Sequence, residues 1–197
     1  MALPGIDPVE LAAGSDDGVV RLLSVGAIVP RKGYDVLVAA LAKLSDLPWR
    51  LTIVGDRTRS PETAALLDIA IARAQLGDRI ELTGAVPDAH LAACYRAADI
   101  FVLASYFEGY GMAAAEAIAY GLPVIATTAG ALPQTLTADA AILVPPGDVA
   151  ALGAALYELL SDPDARRARS EAARAAARAL PTWRATAQQI AQAIEAS

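Results

Sequence analysis

Two carboxylates stand alone in the middle of this chain. Between Asp99 and Asp139 the only charged side chains are Glu108 and Glu116, in Ser105-Tyr106-Phe107-Glu108-Gly109-Tyr110-Gly111-Met112-Ala113-Ala114-Ala115-Glu116-Ala117-Ile118-Ala119-Tyr120-Gly121-Leu122-Pro123. Everything around them is apolar, small or a backbone punctuator. A carboxylate in such surroundings is costly unless hydrogen-bond donors reach it. One carboxylate can accept from two adjacent hydroxyls, as a ribose or hexose offers. Gly109 and Gly111 leave the backbone bare where a helical stretch begins. Free N–H groups there, with the positive end of the helix dipole, favour an anion such as phosphate. An entrance carboxylate, a phosphate seat and an inner carboxylate would fit sugar, diphosphate and ribose. The same residues also allow a plainer arrangement, in which Glu108 caps the free N–H groups and Glu116 pairs with a basic residue elsewhere.

A second group is Val25-Gly26-Ala27-Ile28-Val29-Pro30-Arg31-Lys32-Gly33, a turn that carries two cations. Cations beside a departing diphosphate stabilise the charge that develops on it, though Arg31 and Lys32 could equally be ordinary loop charges. Asp56 is placed either to contact a ligand or to cap the next helix, and capping is the expectation. Residues 127–131 offer hydroxyls and bare backbone, a weak signal. His90 and Cys94 lie four apart, so they face together on a helix. Two ligands do not close a zinc site, and a core cysteine beside a surface histidine is expected. Trp49 and Trp183 read as packing residues.

The elements that must position these groups alternate along the chain. Strands are predicted over residues 19–25, 50–54, 80–83, 100–103, 123–126 and 141–144. Residues 100–103 lack polar alternation and should be buried on both faces. Helical spacing begins at Tyr34, Leu37, Val38, Leu41 and Leu44. Ser60-Pro61-Glu62 opens a helix with a capping hydroxyl, proline at the first position and an acid in the first turn. Asp88 is expected to cap a helix ending near Ala98, and another runs from about Gly111 to Tyr120. Asp148, Asp162-Pro163 and Thr182 each announce one more. Strands alternating with helices through short loops imply right-handed crossovers and a parallel sheet covered on both faces. Ligands of such folds bind beyond the carboxyl ends of the strands, so residues 26–33, 55–59, 84–87, 105–111 and 127–131 should line one rim.

Composition narrows the function classes. The 197 residues suffice for one domain with a sizeable core. The 55% hydrophobic content rests largely on alanine, and no apolar run approaches the ~20 residues that span a bilayer. The first twenty residues carry no Lys or Arg and no long apolar core, so no secretory signal is expected. A net charge of −6 argues against broad nucleic-acid binding. The late basic residues 166–178 alternate with alanine like a solvated helix face. One cysteine excludes an internal disulfide framework and fits a reducing cytosol.

These phrases, in this order and spacing, resemble a known family. The chain is similar to the C-terminal, nucleotide-sugar-binding domain of retaining glycosyltransferases of the GT-B fold, family 4 (glycosyl transferases group 1). The likeness rests on Glu108-x7-Glu116, on Val25 to Gly33 as Val-Gly-x-x-x-Pro-x-Lys-Gly, on Ile53-Val54-Gly55-Asp56 and on Leu82-Thr83-Gly84-Ala85-Val86. It also includes Ala98-Asp99-Ile100-Phe101-Val102-Leu103-Ala104-Ser105 and Leu143-Val144-Pro145-Pro146-Gly147-Asp148. The resemblance implies a Rossmann-like three-layer α/β/α domain with a six-stranded parallel sheet, one half of a GT-B fold. Its implied boundaries are a lead-in at 1–18, the nucleotide-sugar-binding domain at 19–180 and a C-terminal helix at 181–197.

It further implies that Glu108 bonds the donor sugar, Glu116 holds the ribose hydroxyls and Lys32 neutralises the diphosphate. Backbone N–H groups of Gly109, Tyr110, Gly111 and Met112 assist, Gly26 and Arg31 lie at the same turn, and Val86 approaches the base. Lys32 and Glu108 are the residues implied for catalysis. No metal and no cofactor are expected, because cationic side chains and amides do that work; the UDP- or GDP-sugar donor is a substrate. The expected partner is an N-terminal acceptor-binding domain missing from this chain, whose start resembles the crossover linker after such a domain. The expected place is the cytoplasm, with membrane-peripheral association open to the full-length enzyme. A nucleotide-sugar epimerase half and a non-catalytic nucleotide-binding module are the alternatives. Two positions depart from the family phrase: Ala27 stands where it has arginine, and Gln134 where Gly-Gly-x-Pro-Glu ends in a carboxylate.

Overall fold

The computed structural model describes residues 3–195; the outermost two residues of the expected lead-in and of the expected closing helix lie outside this range. Six strands, β1 (Val20–Val25), β2 (Trp49–Val54), β3 (Ile80–Gly84), β4 (Ile100–Leu103), β5 (Val124–Thr127) and β6 (Ala141–Val144), form one sheet in the order β3-β2-β1-β4-β5-β6. Every pairing is parallel, with Leu22 opposite both Leu51 and Ile100, and Phe101 opposite Val124. The helices are α1 (Tyr34–Leu41), α2 (Pro61–Arg73), α3 (Asp88–Ala97), α4 (Met112–Ala119), α5 (Leu132–Thr135), α6 (Val149–Ser161), α7 (Pro163–Ala177) and α8 (Trp183–Glu195).

Both sheet faces are covered, which is why the central strands read as continuous apolar runs rather than alternating ones. Successive strand residues point to opposite faces. Leu22, Leu51, Ile53, Ile100, Val102 and Ile125 therefore meet α1, α2 and α6. Leu23, Phe101, Leu103, Val124 and Ala126 meet α3, α4 and α7. Among the described residues no helix is long and apolar enough to cross a membrane.

The caps follow the sequence unevenly. Asp148 accepts from the backbone N–H of Ala150 and Ala151, and Asp162 from Asp164 and Ala165, each opening a helix as its residue type predicts. Ser60 and Asp88 do not cap. The Ser60 hydroxyl is 2.8 Å from that of Thr63, and Asp88 is itself the first residue of α3, after Pro87. The short α5 and the 3-10 turns at Pro30–Lys32 and Ala42–Leu44 were not expected from spacing, since a single turn carries no period to detect.

Residues 3–18 have neither strand nor helix. They are tied to the other end of the chain: Ile6 N donates to Pro181 O at 2.8 Å and Thr186 Oγ1 to Leu3 O at 2.7 Å. Asp99 anchors the segment further on, accepting from Ser15 and from Arg21 N at 2.7–2.8 Å.

At the centre, Phe101 of β4 is fully buried and stacks on Tyr95 of α3 with centroids 5.9 Å apart. Phe101→Ala should therefore cost about 3–5 kcal/mol, measured as the shift in urea-unfolding free energy.

Candidate functional site

The sheet order reverses between β1 and β4, because β1 leads on to β2 at one side and β4 to β5 at the other. Connections leaving these two neighbours diverge, and a crevice opens beyond their carboxyl ends. The turn at 26–33 and the loop at 105–111 bound it. They are joined by Tyr106 N donating to Arg31 O at 2.8 Å. They are joined again by Lys32 Nζ donating to Glu108 Oε1 at 2.5 Å.

This ion pair is buried, Lys32 being 8% and Glu108 7% exposed. Burying two charges demands further partners. The Ser105 hydroxyl donates to the same Glu108 oxygen at 2.7 Å, and Thr127 Oγ1 holds the Ser105 carbonyl at 2.6 Å. Arg31 stays at the exposed rim, 3.7 Å from Glu108 Oε1, and donates to Phe107 O at 3.2 Å. The two cations of the turn thus divide: Lys32 neutralises Glu108 within the crevice, and Arg31 carries the charge left over toward solvent.

Two glycines make this closeness possible. Gly33 has φ +63°, and a Cβ there would lie 2.2 Å from Ala104 O. Gly130 has φ +60°, and its Cβ would lie 1.9 Å from Glu108 O. Any other residue would strain the backbone and force apart the loops that carry the pair.

Gly109 and Tyr110 follow in the same loop, where Tyr110 O accepts from Thr135 Oγ1 at 2.8 Å. Gly111 precedes α4 in the left-handed region and no side chain caps the helix, so Glu108 does not play the capping part. Met112 begins α4, whose first backbone N–H groups have no partner within the helix.

Glu116 lies one turn further along α4. It lines an open pocket of about 360 Å³ with Met112, Asp88, Leu91, Tyr95 and Trp183, to which neither Glu108 nor Lys32 contributes. Its partner is a phenol rather than a base: Tyr95 Oη lies 2.9 Å from Glu116 Oε2. Burial raises the Glu116 carboxyl above the usual range, the Tyr95 hydrogen bond opposes that rise, and Asp88 adds to it. Val86, half-buried between β3 and α3, packs against the core cluster that includes Tyr95 and Phe101.

Other expected residues fall elsewhere. Asp56 accepts from both Thr58 N and Thr58 Oγ1 at 2.7 Å, a local turn that holds its carboxyl low; it does not cap α2. Cys94 is half-buried rather than in the core, beside an exposed His90. Trp49 is a packing residue at 1% exposure, whereas Trp183 is 51% exposed. Ala27 is half-buried in its turn and Gln134 exposed on α5. Among the described residues no cluster of three or more His, Cys, Asp or Glu could hold a metal ion. Sequence reasoning passed over Tyr95 and the Ser105 hydroxyl. Tyr95 sits in a helix of apolar period where an aromatic reads as core, and only the fold brings it to Glu116.

Residues 12–176 match the family model for glycosyl transferases group 1, and the chain belongs to that family. It is 37% identical to a D-inositol 3-phosphate glycosyltransferase of Pseudarthrobacter chlorophenolicus over 78% of this chain and 37% of that protein. The structure matches sucrose-phosphate synthase of Thermosynechococcus elongatus with TM-score 0.82 and 35% identity, over 90% of this chain and 45% of the other. It also matches the C-terminal domain of a glycosyl transferase group 1 family protein (LpcC) of Francisella tularensis, with TM-score 0.71 and 28% identity over 78% and 82%. The chain therefore spans about two fifths of the length of its full-length relatives.

Two outcomes follow from the site's electrostatics. Lys32→Met should destabilise the chain by about 3 kcal/mol in urea unfolding, because it strands a buried carboxylate, and adding Glu108→Gln should recover most of the loss. Glu116→Gln should do the opposite. A carboxyl whose pKa is raised on folding binds its proton more tightly when folded, so its cost is absent below the unfolded pKa of about 4.3 and full above the folded value. The variant should melt higher than the parent at pH 7, with the gain vanishing as pH falls toward 4, by calorimetric melting.

Proposed function

We propose that this chain is the donor-binding half of a retaining glycosyltransferase that moves a hexose from a UDP- or GDP-sugar to an acceptor held by another domain. The observation that carries this reading is the crevice at the sheet reversal. There a buried Lys32–Glu108 pair, an exposed Arg31 and the uncapped start of α4 meet, with Glu116 one turn inward. A diphosphate is the ligand that uses all of them. Its charge suits Lys32, Arg31 and the N–H groups of residues 109–112. When Lys32 turns to the diphosphate, the Glu108 carboxylate is released to accept from sugar hydroxyls. Glu116 then takes the ribose hydroxyls, with the base passing toward Val86.

In transfer, the bond from the anomeric carbon to the diphosphate oxygen breaks, the acceptor oxygen forms the new bond on the same face, and the acceptor's hydroxyl proton passes to the departing diphosphate. Negative charge grows on the departing diphosphate, where Lys32 and the amides stabilise it. Catalysis depends on holding donor against acceptor, and on this proposal the acceptor is held by another domain. The chain alone therefore binds donor and transfers little or nothing.

Calorimetry with UDP, GDP and their sugars tests this. Glu116→Ala should weaken UDP or GDP binding by roughly tenfold or more. Glu108→Ala should not weaken that affinity, because it frees Lys32 for the diphosphate, and should remove the increment due to the sugar. Equal losses of UDP or GDP affinity from both variants would contradict the roles, and no binding to any of these ligands would favour a non-catalytic module.

A further inference from the structure

We propose that Tyr95 is a positioning residue for the ribose site: its phenol fixes the Glu116 carboxylate in the orientation that receives the two ribose hydroxyls. The inference rests on the reading that Glu116 holds the ribose.

Tyr95 lies on α3 and Glu116 on α4, so nothing local brings them together. The Tyr95 ring is 1% exposed. It is held from two directions, stacked on Tyr120 with centroids 4.8 Å apart and planes within 6°, and on Phe101 at 5.9 Å and 23°. A ring so confined has one place to put its oxygen. That oxygen meets Glu116 Oε2 at 2.9 Å and Ala113 O at 3.1 Å. It has one proton, and a carboxylate is the stronger acceptor. Burial and the nearby Glu116 charge both push the Tyr95 phenol up, so it stays a donor throughout the accessible pH range.

The consequence is geometric. A glutamate on a helix that borders an open pocket has three torsions to choose from. With Oε2 engaged by Tyr95, the carboxylate is fixed, and Oε1 and the spare lone pair of Oε2 remain for a vicinal diol. An unheld carboxylate would lose side-chain freedom on binding instead. The other titratable groups around Glu116 are Asp88 on α3, Tyr120 at the end of α4 and Asp7 of residues 3–18, which lines the same pocket. None of these supplies a positive charge, and among the described residues the side-chain hydrogen bond to Glu116 comes from the phenol.

The stacked ring also has a structural use, so the test must separate the hydroxyl from the ring and the diol from the rest of the nucleotide. Tyr95→Phe keeps the ring and removes one oxygen. Its affinity for UDP or GDP should fall about tenfold, while that for the corresponding 2′,3′-dideoxynucleotide stays within twofold. In the parent chain, nucleotide affinity should fall as pH drops through the raised Glu116 pKa, and Tyr95→Phe should move this limb to higher pH. Equal losses for both nucleotides would reduce Tyr95 to packing and overturn the inference, as would an unmoved limb. Glu116→Gln separates that failure from failure of the ribose reading. If it leaves the preference for ribose over dideoxyribose unchanged, the reading of Glu116 itself is wrong. Should Tyr95→Phe fold poorly, the parent chain still decides by nuclear magnetic resonance. The Tyr95 hydroxyl proton should stay protected and shift on addition of UDP or GDP but not of inorganic pyrophosphate. An identical response to all ligands overturns the assignment.

Discussion

The burial of one carboxylate constrains the whole rim. Glu108 cannot sit at 7% exposure without an ammonium and a hydroxyl beside it. The ammonium comes from a turn 76 residues earlier and the hydroxyl from the end of β4. These groups meet only if β1 and β4 are neighbours, and the parallel order that makes them neighbours also reverses the chain's direction of travel across the sheet. The crevice and the ion pair are therefore products of one topological fact. Gly33 and Gly130 matter for the same reason: each lets a backbone pass where a Cβ would strike a carbonyl oxygen.

The two carboxylates of the uncharged stretch meet their cost in opposite ways. Glu108 is neutralised inside the protein, at the expense of tying up Lys32. Glu116 is left with a neutral donor and partial exposure, so its charged form is disfavoured by burial. The first arrangement stores a cation and an anion side by side at the rim, the pair that the proposed diphosphate sugar would separate. The second maintains an acceptor that is satisfied only in part. Natural sites are often less stable than they could be at the residues that bind, which is the pattern the proposed role of Glu116 calls for.

Much of the fold was legible because its signals are local. Buried parallel strands show as unbroken apolar runs, and Asp148 and Asp162 announce their helices by the chemistry of one side chain. The isolation of Glu108 and Glu116 in an uncharged stretch singled them out, the turn carrying two cations singled out Lys32, and the likeness of phrases supplied their expected roles. What stayed illegible depends on distance in sequence. Whether Arg31 or Lys32 turns inward is decided by a partner 76 residues away. Whether Trp183 is buried depends on how residues 3–18 cross the C-terminal segment, and Tyr95 becomes informative only when α3 is laid against α4. Ser60 and Asp88 show the limit of local rules as well. Both are residue types that cap, yet Ser60 bonds a neighbouring hydroxyl and Asp88 enters the helix one position late.

The alanine that dominates the composition has its effect at α4. Ala114, Ala115 and Ala117 are at most 1% exposed, so this helix lies close against the sheet with little side-chain bulk between. Its opposite flank meets α7, where Ser170 Oγ donates to Gly121 O at 2.8 Å. A helix seated on methyl groups has few rotamers to adjust, and its position is set by backbone contact. That rigidity carries through to both ends of the site. The helix begins directly after the loop that carries Glu108, and one turn on the same backbone presents Glu116 to Tyr95. Glu116 is thus held at a fixed position on a helix that cannot easily shift, one turn beyond the loop that carries Glu108.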